Sequence, residues 1–96
     1  MKFPSIKAVA SVLREIATEV ATDTRVADSD ETSIDVRLQV HTDGEWSVHS
    51  GDASYDTDHQ GYWGASSVPS NGARFNSHDV ARDLIEQARD HHAQSQ

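Results

Sequence analysis

An α+β fold is predicted for this chain: a small antiparallel sheet with an N-terminal and a C-terminal helix packed on one face. Three observations predict it. Apolar residues recur at helical spacing near both ends, as Ile6, Val9, Leu13, Ile16 and Val20, and again as Val80, Ala81, Leu84, Ile85 and Ala88. Between them Ser33 to His41 alternates strictly, with Ile34, Val36, Leu38 and Val40 set against Asp35, Arg37, Gln39 and His41. Asp43-Gly44 then marks a turn into a second strand that runs to about Gly51. Two helices on one face of a hairpin-based sheet is the economical way to bury those stripes.

The first helix has a plausible start. Ser5 is suited to be its N-cap, with Pro4 just before it. Ala8 stands where a capping box would need Glu or Gln, so none forms. The stripe continues to about Ala21, Val12 widens it, and Lys7, Arg14, Glu15 and Glu19 fall largely off it. That is the pattern of a core-packing helix. The stretch 22–32 that follows is polar and acidic, a surface connection whose Asp23, Asp28, Asp30 and Glu31 match no known metal-ligand spacing.

The register of the hairpin can be argued from its side chains. A two-residue Asp-Gly loop would pair Val40 with Ser47 and Leu38 with His49, mixing faces. A three-residue loop, Thr42-Asp43-Gly44, pairs Val40 with Trp46 and Leu38 with Val48, and puts Gly44 in the left-handed position of a type I turn with a G1 bulge. A slip of one residue would send the apolar set to solvent, so the three-residue loop is expected. The other face then carries Asp35, Arg37, Gln39, His41, Glu45, Ser47 and His49, with His41 opposite Glu45 and Arg37 opposite His49.

The stretch 52–76 is read as a long loop, with room for a short third strand near Tyr62 to Val68. It holds three of the four Tyr and Trp residues, Tyr55, Tyr62 and Trp63, and three of the five glycines. Loops of this length inside a compact domain are uncommon and often functional or disordered. The aromatics argue for order. Gly61 and Gly64 flank the aromatic pair and suggest a shaped turn. Trp63 has two readings: an anchor for a partner, or a plug in the core. After Asn71-Gly72, Ser77 is a candidate N-cap for the last helix, with Asp79 in its first turn. Arg82 and Glu86 are spaced for a contact one turn apart.

Composition bounds the function. Ninety-six residues, 35% of them apolar, make one domain with a thin core. There is no cysteine, which removes disulfides, thiolate catalysis and Cys-based zinc sites. No long apolar run begins the chain, so neither a signal peptide nor a membrane span is expected, and a cytoplasmic protein is. The net charge of −8 disfavours direct nucleic-acid binding, which calls for a basic stripe. It suits solubility or a basic protein surface.

Catalytic patterns are weak. Asp56-Thr57-Asp58-His59-Gln60-Gly61 echoes the start of an EF-hand loop, but its twelfth position is Ser67 and no helix precedes it. Gly64-Ala65-Ser66-Ser67-Val68 does not match the turn of a serine nucleophile. No catalytic residue, metal ligand or cofactor is assigned. The binding surface is assigned to Tyr62, Trp63, Tyr55, Asp56, Asp58 and His59, aromatic anchors with acidic neighbours.

The run Gly51-Asp52 through Ser54-Tyr55-Asp56-Thr57-Asp58-His59-Gln60-Gly61-Tyr62-Trp63-Gly64, followed by Ala81-Arg82-Asp83-Leu84-Ile85-Glu86-Gln87, resembles small uncharacterised acidic proteins of bacterial phages and plasmids. The resemblance covers about the C-terminal half. It implies a mobile-element setting, in which several unrelated small acidic proteins inhibit host defence complexes. The expectation is therefore a non-enzymatic interaction protein that binds a host protein, such as a component of a CRISPR or restriction complex. The alternatives are a small metal- or ligand-binding enzyme using residues 56–59, or a structural homodimer.

Overall fold

The structure, a computed structural model, describes residues 2–22, 33–50, 61–69 and 75–94. Helix α1 (Ile6–Thr22) starts where the sequence places it: the Ser5 Oγ accepts from the Ala8 N–H at 3.1 Å. Strands β1 (Ser33–His41), β2 (Trp46–Ser50) and β3 (Gly61–Pro69) form one sheet in the order β2-β1-β3, with both pairs antiparallel. Helix α2 (Ser77–Gln94) completes the described elements. Both helices lie on one face of the sheet, so the α+β fold is as the periodicity predicts.

The hairpin has the expected register, with Val40 opposite Trp46, Leu38 opposite Val48 and Arg37 opposite His49. The Gly44 N–H donates to the His41 carbonyl at 3.0 Å, and the His41 N–H donates to the Glu45 carbonyl at 2.7 Å. Gly44 has φ +91°, the left-handed conformation that the bulge requires and that glycine adopts without steric cost. Asp43 holds the loop shut by accepting the Glu45 N–H on Oδ1 at 3.0 Å.

Residues 61–69 are a full strand rather than a turn. β3 pairs with β1 along its whole length, from Gly61 opposite His41 to Pro69 opposite Ser33. Its alternation is hard to see in the sequence because the helix-side positions are Tyr62, Gly64, Ser66 and Val68. Gly64 serves packing. A Cβ there would overlap the Leu84 carbonyl of α2 and lie 3.2 Å from the Gln87 Cβ. The glycine thus lets helix and strand backbones approach closely.

The start of α2 corrects the sequence reading by one residue. Asn76, not Ser77, is the N-cap: its Oδ1 accepts from the N–H groups of His78 at 3.0 Å and Asp79 at 3.4 Å. Ser77 is instead buried, and its Oγ accepts from Arg14 Nε at 3.3 Å, which ties α2 to α1. Arg82 pairs with Asp79 at 3.7 Å, not with Glu86; both side chains are exposed, so the pair adds little stability.

The core lies between the helices and one face of the sheet. Val9, Leu13, Val36, Leu38, Val40, Ala81, Leu84, Ile85 and Ala88 are buried there, as patterned. Trp46 and Val48 pack against it half-buried. The pattern missed Ala10 and Val68, and also Phe3 and Phe75, which border the core from outside any periodic run. The side chain of Val20 lies outside the described residues.

Candidate binding face

Strand period 2 sends Tyr62 and Trp63 to opposite sides of the sheet. Tyr62 shares the helix side with its register partner Val40. Its ring meets His92 edge-on at 4.7 Å and His91 at 5.7 Å, near the C-terminal end of α2. The His92 ring also meets Phe3 at 6.0 Å, and the Arg89 guanidinium lies 5.5 Å from the centre of the Phe3 ring. Tyr62 therefore closes one end of the helix layer. Trp63 belongs to the side that neither helix covers, and it is not part of the core cluster. The two aromatics do not form one anchor. Tyr55, Asp56, Asp58 and His59 lie outside the described residues.

The face opposite α1 and α2 can be read as three rows across the strands. Ser47, Gln39 and Trp63 make one row; His49, Arg37 and Ala65 the next; Asp35 and Ser67 the third. Trp63 and His49 come from the two outer strands, and their rings meet at 5.9 Å across β1, tilted by 42°. His49 Nε2 and Ser47 Oγ are 2.9 Å apart. The Ser67 Oγ donates to Asp35 Oδ1 at 2.8 Å. Beside this pair a depression of about 250 Å³ is lined by Asp35, Arg37, Ala65, Ser66 and Ser67.

Gln39 sits in the middle row and is only 2% exposed. Its carboxamide lies against Gly61, where a Cβ would stand 2.8 Å from Nε2. Among the described residues that Nε2 has no hydrogen-bond partner. A buried amide left without any partner costs roughly 1–3 kcal/mol.

Sequence reading missed the Ser47–His49 and Asp35–Ser67 pairs. Ser47 and His49 are alternate residues on the outward side of β2, whereas Asp35 and Ser67 come together only through the register of β3. A serine hydroxyl bonded to a histidine is one half of an activated nucleophile, which also needs a group to orient the base. Among the described residues no carboxylate is bonded to His49; its ring is held by Trp63. Among those residues, too, no group of three or more His, Asp or Glu side chains converges as a metal site. No helix of the described residues is long and apolar enough to cross a membrane. The arrangement is a half-buried indole set among hydroxyl, imidazole, carboxylate and guanidinium groups.

The chain matches no protein-family model, no curated protein and no solved structure.

Proposed function

We propose that this is a non-enzymatic interaction protein that binds a host protein through the sheet face opposite α1 and α2, with Trp63 as the anchor. One observation carries the reading. The chain places a large aromatic side chain on the face opposite both described helices, and rims it with Ser47, His49, Arg37, Asp35 and Ser67. Tryptophan inside a polar rim is the residue most often found to dominate a binding interface. The net charge of −8 favours a partner with a basic surface, and it speeds encounter with one. In a phage or plasmid setting the partner would be a subunit of a defence complex, engaged by contact and not by catalysis.

The test is affinity capture from bacterial lysate with the wild type, Trp63→Ala and Glu86→Ala side by side. Glu86 lies exposed on α2, away from the proposed face. A stoichiometric partner held by the wild type and by Glu86→Ala, and lost from a folded Trp63→Ala, supports the reading. A partner retained by Trp63→Ala refutes it.

A further inference from the structure

The two outer edges of the sheet are treated differently. In an antiparallel pair, alternate residues direct their N–H and C=O at the partner strand, and the residues between turn theirs away. The Glu45 carbonyl accepts from the His41 N–H, so the parity of the hairpin is set there. With Gln39 opposite Ser47 and Arg37 opposite His49, it follows that Trp46, Val48 and Ser50 turn their backbone groups outward from β2. The same parity carried across β1 sends the Ala65 N–H outward from β3. There the Gln87 Oε1 accepts it at 2.9 Å, and Gln87 is itself braced by Asp83 at 2.8 Å. The edge of β3 is capped by α2. Along β2, among the described residues, no side chain or backbone group outside the hairpin hydrogen-bonds to the outward groups of Trp46, Val48 and Ser50.

Exposed edges are usually blunted by a charge or a proline. Trp46–Ser50 contains no Lys, Arg, Asp, Glu or Pro, in a chain of net charge −8. We infer that β2 pairs antiparallel with β2 of a second copy of this chain, which joins two three-stranded sheets into one. A register centred on Val48 sets Val48 opposite its own copy and Trp46 opposite Ser50. Every outward group of those residues then exchanges hydrogen bonds with the partner. Self-pairing about a two-fold axis sets identical segments against each other, and an uncharged strand is what permits that between two acidic chains. The half-buried side chains of Trp46 and Val48 also gain cover on the helix side. The inference stands apart from the binding role of Trp63. If both hold, the dimer presents two such faces on one continuous sheet.

Sedimentation of the full chain at rising concentration, combined with amide exchange by NMR, tests it. The wild-type mass should climb to twice that of the monomer. Added salt should shift the transition to lower protein concentration by screening the repulsion between the chains. Protection of the Val48 amide should rise in step with dimer formation. Val48→Pro removes an outward N–H, a place where an edge strand tolerates proline, and it should stay monomeric with the β1–β3 amides still protected. The inference is overturned by a wild type that stays monomeric throughout, by a dimer whose Val48 amide exchanges freely, or by a folded Val48→Pro that still dimerises. If Val48→Pro does not fold, the wild-type mass and exchange decide alone.

Discussion

Two neighbouring rows of the sheet have opposite fates. Val48, Leu38 and Gly64 lie across the strands on the helix side; Ser47, Gln39 and Trp63 lie one residue along, on the other. In the first row Leu38 is fully buried and Gly64 gives up its side chain so that α2 can approach. In the second, the largest side chain of β3 projects from the side opposite the described helices, and a buried amide nitrogen in the same row has no partner among the described residues. The first row is built as a core is built, with complementary volumes and no polar atoms. The second sets a buried amide and a large, half-buried aromatic side chain on the face opposite the described helices.

The contrast can be broken from the helix side first. Leu38→Ala should lower the unfolding free energy by about 2–5 kcal/mol, the usual range for a fully buried leucine, read from a urea melt. Gly64→Ala adds a single methyl, yet it should cost about 1–3 kcal/mol, because strand and helix must separate to admit it. The signature to look for is loss of amide protection in α2 around Leu84 ahead of β1. Unchanged stability in Gly64→Ala would mean that the close approach of α2 to β3 is absent in solution.

The other row should respond weakly. Gln39→Met keeps the shape of the side chain and removes the buried amide, so stability should change little or rise by about 1 kcal/mol. A loss as large as that of Leu38→Ala would show that the carboxamide has a partner that matters to the fold.

Much of this architecture was legible beforehand, where a periodic pattern coincided with a steric requirement. The hairpin is the clearest case: alternation in β1 fixed which side chains had to face the helices, and only a glycine at position 44 allowed the loop that kept them there. β3 was harder. Its helix-side residues, Tyr62, Gly64, Ser66 and Val68, are not a continuous apolar set, because α2 comes close enough to need a glycine at position 64 and Ser66 interrupts the rest. A glycine required by helix packing reads, in sequence, like a glycine required by a turn. The same ambiguity split Tyr62 from Trp63. Adjacent aromatics suggest one patch in a loop, whereas a strand separates them by half a turn of the backbone. The cap of α2 was displaced by one residue because Asn76 and Ser77 are both good caps, and only the burial of Ser77 beside Arg14 decides between them.

The most direct measurement of the central claim, that Trp63 is a contact residue and not a plug, is the equilibrium unfolding of Trp63→Ala in urea. Removing the indole forfeits, among other contacts, the one with His49, on the side of the sheet opposite both described helices and outside the core cluster. The predicted loss is no more than about 1.5 kcal/mol, with the unfolding slope unchanged. A loss of about 3–5 kcal/mol, as for an aromatic deleted from a core, would contradict the account and return Trp63 to a structural role.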